Sequence, residues 1–209
     1  MKKIIEHTVS LLLMLVKPAP IKSFHLRMYY FFRKFQYSYH TLSFAFRYAP
    51  FIKKFGKNSF ILGKCLVKGT FGTPIELSID DNVLIYDRCE FRGRGNIKIG
   101  KGSAIGHDNI FSCTSSIRIG KDVITADHVK FYTANHNYSD PNILIKDQGE
   151  AQGIITIEDN VWIGANVVLV RNAYISEGAI IGANSVVNGT IPPNEIWAGC
   201  PARKIKNRF

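Results

Sequence analysis

Carboxylates are almost missing from the front of this chain. Residues 1–57 contain one, Glu6, against eleven Lys and Arg side chains. Residues 58–209 are balanced, with sixteen basic and fifteen acidic side chains. The net charge of +11 therefore belongs to the front segment, and the rest of the chain is ordinary in charge. Long apolar runs are missing too. The longest, LLLMLV at residues 11–16, falls well short of the about 20 residues that cross a bilayer. Lys2 and Lys3 precede it in the manner of a leader peptide. No small-x-small cleavage site follows cleanly, so the segment is expected to stay on the chain. Cysteine is sparse. Cys65, Cys89, Cys113 and Cys200 form no C-x-x-C pair, which excludes a disulfide framework and predicts buried thiols in a reducing compartment. No helix-turn-helix, zinc-finger or RNA-recognition signature accompanies the basic segment, so nucleic acid is not expected as a partner.

Rings take the place of the missing acids. Residues 1–57 hold 13 of the 25 Phe, Tyr and Trp residues, in runs such as YYFFRKFQYSY and FAFRYAPF. Mixtures of rings and cations suit a membrane surface, where rings settle at headgroup level and Lys and Arg meet phosphates. A helical segment over residues 1–57 is predicted, packing on its own domain or a partner subunit, with peripheral membrane contact compatible with either.

Behind it lies a repeat. From Ile157 an aliphatic residue returns every six positions: Ile163, Leu169, Ile175, Ile181, Val187. Four residues after each of the first five comes an apolar or small one: Val161, Val167, Ala173, Ala179, Ser185. Upstream sets repeat with a circuit of 20 residues: Ile79, Ile85, Phe91, then Ile99, Ile105, Phe111, then Ile119, Thr125, Phe131. A weaker set, Phe55, Ile61, Val67, precedes them. Six matches neither the helical nor the strand period. It fits short strands joined by tight corners, three to a circuit, each sending one large and one small residue inward. Gly, Asn and Asp elsewhere in the repeat tolerate corner backbone. Such a prism is too narrow to hold a ligand, so binding must occur outside it.

The rhythm fails once, over FYTANHNYSDPNILIKDQGEAQGIITI at residues 131–157. The hexads on either side resemble the hexapeptide-repeat acyltransferase superfamily. ITIEDNVWIGANVVLV, YTANHNYSDP, KDQGEAQG and IIGANSVVNGTIPPNEIWAGCPARKIK resemble, in order, motifs of its galactoside/maltose acetyltransferase-like branch, especially the sugar and polysaccharide O-acetyltransferases. The likeness covers roughly residues 58–207. It implies a mainly β fold: a left-handed parallel β-helix of about six coils over residues 58–209. A loop would protrude at about 136–154, with an α-helical segment in front and a short basic tail behind.

The same resemblance implies His136 as general base. The chemistry agrees: acetyl transfer from a thioester to a hydroxyl needs a proton acceptor, and a free imidazole, with a pKa of about 6.5, is mostly neutral near pH 7. Acetyl-CoA is the implied acyl donor and a homotrimer the implied assembly, with coenzyme along the prism edge between subunits. The matching positions are Ala165, Ala183 and Asn188, with Trp162 outward beside the loop. Gly189 stands where some members carry a lysine, so weight shifts to Arg203 and Lys204 for the coenzyme phosphates. Asp108, Asn109, Tyr132 and Tyr138 are the candidate acceptor contacts, with Asp140 or an asparagine as possible orienters of His136. Cys113 is the only cysteine considered as a nucleophile, and the direct-transfer reading does not need it.

The expected function is acetyl-CoA-dependent O-acetylation of a saccharide belonging to, or on the way to, a cell-surface polysaccharide. Its expected place is the cytoplasm, at the inner face of the membrane. An amino sugar or antibiotic acceptor is the alternative. A γ-carbonic-anhydrase-like zinc protein fits poorly: His128 and His136 are eight apart, without the H-x-x-x-x-H spacing, and no metal is expected.

Overall fold

The computed structural model describes residues 24–69 and 74–209, excepting the side chains of residues 24–27, 30 and 31. The LLLMLV run and the rest of residues 1–23 lie outside the described residues.

The six-residue period becomes a three-faced parallel β-helix. The first face stacks Ile52–Phe55, Glu76–Ile79, Asn96–Ile99, Ser116–Ile119, Ile154–Ile157, Tyr174–Ile175 and Thr190–Ile191. The second begins at Phe60–Ile61 and runs through Ile124–Thr125 and Trp162–Ile163 to Glu195–Ala198. The third runs from Leu66–Gly69 to Val186–Val187. With seven strands on the first face there are seven circuits, against the six or so expected. The additional one is the weak set Phe55, Ile61, Val67. Its strand Ile52–Phe55 pairs with Glu76–Ile79 through a shift in register, which is why its periodicity is faint. The first circuit thus begins inside the stretch assigned to the front segment.

The interior is a set of columns. Ile79, Ile99, Ile119, Ile157 and Ile175 succeed one another on the first face, each at most 3% exposed. On the third face Phe91, Phe111 and Phe131 stack with centroids 4.8 and 4.4 Å apart and planes within 13°. Centroid spacing that short is set by the strand ladder itself, about 4.8 Å per circuit. Corners turn through left-handed backbone at Asn82, Asp122, Asn160 and Asn194 on one edge and Arg88, Asp108, His128, Asn166 and Asn184 on another. Asn and Asp tolerate that region; Arg and His are less usual there.

The helix Phe24–Arg47 packs on the first circuit at the open N-terminal end. Thr41, Phe44, Ala45 and Tyr48, three or four apart, are buried on one side. The Ile61 amide, an edge donor of the first circuit, donates to Thr41 Oγ1 at 3.0 Å. Among the described residues no helix is long and apolar enough to cross a membrane. At the other end the expected basic tail is a strand: Arg203–Asn207 folds back antiparallel on Glu195–Ala198.

Phe111 has a ring above and a ring below, so its loss leaves a cavity that a rigid ladder cannot close. Phe111→Ala is expected to destabilise the protein by about 3–5 kcal/mol, read from chemical denaturation. Val161→Ala, at a small inward position, should cost less.

Candidate active site

The interruption at His136 is a hairpin. Ala134–His136 pairs antiparallel with Glu150–Gln152, leaving the prism at the corner between the third and first faces. Its root is buried Thr133. The Thr133 hydroxyl accepts from the Thr114 amide at 2.8 Å, its own amide donates to the Ser112 carbonyl at 3.1 Å, and its carbonyl accepts from the Gly153 amide at 2.8 Å. The Ser115 hydroxyl donates to the Gly153 carbonyl. Gly153 leaves room for its neighbours: a Cβ there would stand 2.1 Å from Asn172 Oδ1 and 2.5 Å from Arg171 Cγ, so a larger residue would have to displace both side chains.

Across the hairpin His136 faces Glu150. The backbone bonds at Gly153–Thr133 and Asn137–Gly149 bracket that pair and leave it at a non-hydrogen-bonded position. There side chains on one face come closest, with Cβ atoms about 5 Å apart. A carboxylate is thus the direct cross-strand neighbour of the candidate base. Asp140, one of the expected orienters, is committed elsewhere: its carboxylate accepts from the Asn142 amide at 2.9 Å. Gln148 ties the loop together, donating from its amide to the carbonyls of Asp140 and Ile143, each at 2.8 Å. Tyr132 is half-buried at the root and Tyr138 is exposed on the loop.

The corner between the second and third faces carries a different constellation. Arg88 grips Asp108 with two bonds, Nε to Oδ1 at 2.7 Å and Nη2 to Oδ2 at 2.6 Å. That guanidinium holds the Asp108 carboxyl below the usual carboxylate range, with a smaller contribution from His128, whose Nε2 is 3.9 Å away. One position earlier, Asp127 accepts from the His107 amide at 2.7 Å and lies 3.2 Å from His107 Nδ1. Asp108 is therefore already engaged. Asn109 must be removed from the acceptor surface altogether. It is fully buried, its amide nitrogen donates to Gly106 O, Thr125 Oγ1 and Ala126 O, and its oxygen accepts from the Val129 amide.

The expected coenzyme residues separate into groups. Ala165 and Ala183 follow His107 and Asp127 down one corner, bridged by the Asn184 amide on the Ala165 carbonyl at 2.9 Å. Small side chains stand there, whereas the circuits above carry Asp87, His107 and Asp127 at the same corner. Asn188 and Arg203 line a small cleft of about 50 Å³ on the next corner, with Gly189 and Trp197. Lys204 is paired with Glu195, whose carboxyl it holds below the usual range. Trp162 needs correcting. It is half exposed on the second face, between Ile124 and Ile180, and not beside the hairpin of its own chain. One chain does not gather these residues around His136.

Several groups escaped the sequence. Glu150 and Thr133 show no periodic signal, because the hairpin strands are short and polar. Arg171, beneath Gly153, carries the only buried side-chain donor without a partner among the described residues, Nε. Among the described residues no three His, Cys, Asp or Glu side chains gather as a metal site. Cys113 is buried and burial pushes its thiol up to about 12, which argues against a nucleophile.

Residues 154–189 match the family described as bacterial transferase hexapeptide (six repeats). A probable acetyltransferase of Mycobacterium tuberculosis is 34% identical over 134 residues, covering 64% of this chain and 45% of that one. A putative lipopolysaccharide biosynthesis O-acetyl transferase of Escherichia coli is 32% identical over 128 residues, covering 57% and 64%. The chain thus spans about half to under two thirds of the length of these relatives. Among solved structures, an N-acyltransferase from Bacillus cereus, in complex with dTDP and 3-hydroxybutyryl-CoA, superposes with a TM-score of 0.58 at 23% identity, over 77% of this chain and 86% of that one. At that identity the likeness is one of fold.

The four thiols differ sharply in access. Native protein treated with iodoacetamide at about pH 8 should be labelled at Cys200 alone. Cys65, Cys89 and Cys113 should react only after unfolding, as read by peptide mass spectrometry. Labelling of native Cys113 would contradict the burial described.

Proposed function

We propose that this member of the hexapeptide-repeat family is an acetyl-CoA-dependent O-acetyltransferase, with His136 as its general base and a saccharide hydroxyl as its acceptor. The observation that carries the reading is the hairpin. A prism with no interior pocket departs from its ladder once, and does so to project an imidazole with a carboxylate opposite. His136 takes the acceptor hydroxyl proton as the oxygen attacks the thioester carbonyl. The imidazolium then returns that proton to the departing coenzyme thiolate, so no acyl-enzyme is required. Glu150, directly across the strand pair, is the carboxylate placed to orient the ring. Acetyl-CoA supplies the activated acyl group. The small corner at Ala165 and Ala183 fits a ligand that must approach backbone closely, and Arg203 adds a cation for its phosphates.

A homotrimer accounts for the scatter of these residues. The second face presents an outward apolar column in which Ile124 and Trp162 are 54% and 53% exposed. Packing that face on a neighbour would set the Ala165 corner of one copy against the Asn188 corner of the next, forming the groove that one copy lacks. The relative's role in lipopolysaccharide biosynthesis supports a cell-surface polysaccharide, or its lipid-linked or nucleotide-sugar precursor, as acceptor. Residues 1–57 would then hold the enzyme at the inner face of the membrane.

His136→Ala should lower kcat/KM for acetyl transfer about 10²- to 10⁴-fold. Sedimentation and coenzyme-binding calorimetry should stay unchanged. A variant that keeps wild-type turnover removes His136 as base. Glu150→Gln should reduce kcat about tenfold with little change in KM for acetyl-CoA, while Asp140→Asn, on a turn, should not. The acceptor class is read from a panel of neutral, acidic and amino sugars, and transfer confined to amines would replace the O-acetyl reading.

A further inference from the structure

The helix Phe24–Arg47 has a second face. Opposite the buried residues Thr41, Phe44, Ala45 and Tyr48, the side chains of Phe35, Tyr39 and Phe46 point away from the domain. They are 58%, 62% and 84% exposed. Their spacing of four and seven keeps them on one stripe. A helix standing in solvent carries charge on such a stripe, not rings.

The charge around it has one sign. No Asp or Glu occurs from residue 7 to residue 75, a stretch that carries eleven Lys and Arg. Three of the lysines in the first circuit meet carboxylates of the second: Lys53 with Glu76, Lys54 with Asp80 and Lys68 with Glu90. Among the described residues, Lys34, Arg47, Lys57 and Lys64 have no carboxylate within ion-pair distance. Arg47 lies over the Tyr48 ring at 5.6 Å, and Arg33 bonds the hydroxyls of Tyr29 and Tyr37.

We infer that this stripe and its cationic border form a docking face for an anionic bilayer surface, with the helix lying in the headgroup plane. Rings at the interface and cations against lipid phosphates are the chemistry such a surface takes. A second copy fits badly, because the segment would bring like charges together with no carboxylate to offset them. A polynucleotide fits less well, because one convex helix offers no groove to track a phosphate backbone. The orientation follows. The hairpin leaves the fourth circuit, three steps of about 4.8 Å below the first circuit, on which the helix, itself about 10 Å thick, lies. His136 would therefore stand about 25 Å from the headgroups, within range of a glycan on a lipid carrier. The inference rests on the membrane placement of residues 1–57 and is independent of the acetyl-transfer chemistry.

The test is flotation of the full-length protein with vesicles of phosphatidylcholine alone and of an equimolar mixture with phosphatidylglycerol. Binding is expected only to the mixture, and should fall steeply between low and high salt. Phe35→Ser/Tyr39→Ser/Phe46→Ser should weaken partition at least about tenfold, and Lys34→Glu/Arg47→Glu should abolish it. Circular dichroism and acetyl transfer to a soluble acceptor should match wild type in both variants. Binding that survives loss of the rings, or no binding to anionic vesicles, overturns the inference. So does a change of oligomeric state in the ring variant, which would make the stripe a contact between copies. Capture of single-stranded RNA without vesicle binding would reassign the face to nucleic acid. Loss of transfer in His136→Ala with vesicle binding intact keeps the two readings separate.

Discussion

The backbone ladder along the prism axis governs everything else in this molecule. From the second circuit to the fourth each strand bonds to the one 20 residues before it, as Ser116–Ile119 does to Asn96–Ile99. The next partner of Ser116 is Ile154, 38 residues on, so 18 additional residues are accommodated with no slip in register. A one-residue slip would turn every inward side chain outward. Thr133 and Gly153 prevent it by closing the hairpin at its root before the ladder resumes. The loop is free to carry an imidazole because its two ends are held where an ordinary corner would be.

The same constraint explains the polar groups inside the wall. Ser59, Ser103 and Ser185 are buried, and each hydroxyl donates to a carbonyl while accepting an amide. Two bonds satisfy a hydroxyl and leave no desolvated donor behind. Asn109 extends the device, serving one amide, two carbonyls and the Thr125 hydroxyl. It allows Thr125 to stand in an isoleucine column between Ile105 and Ile163 without an orphaned oxygen. A polar residue in a solenoid corner therefore carries two meanings, and only the coordinates separate them.

That ambiguity marks where sequence reading ends. Period six was enough for the prism, the inward columns and the place of the break, since each depends on residues a fixed step apart. Asp108 and Asn109 are neighbours in sequence and seemed one acceptor surface. The first is outside and gripped by Arg88; the second is inside. Trp162 was expected beside the loop as the outward residue of VWIG. In a three-faced prism, a few residues are enough to move from one face to the next. Glu150 was invisible because its partner is 14 residues away across a long loop, and no periodicity links the two. Period and motif report what repeats, whereas the orientation of His136 depends on what occurs once.

In a solenoid the order of residues along the chain is also their order along the axis, because each circuit can contact only its neighbours. The aromatic helix caps one end, the Arg88, His107, Asp108 and Asp127 corner comes next, the hairpin leaves the fourth circuit, and the small corner of Ala165 and Ala183 lies below. A molecule docked by its helix would present these in sequence from the bilayer inward. The proposed acceptor would arrive from the membrane side and the coenzyme from the solvent side, meeting at His136. Since the interior is filled, the two substrates cannot approach through the prism and must converge along its edges. Moving the hairpin by a single circuit would shift the base about 4.8 Å nearer one substrate and farther from the other. The position of the break in the repeat is thus a distance as much as a motif, and the stiffness of the ladder is what keeps that distance constant.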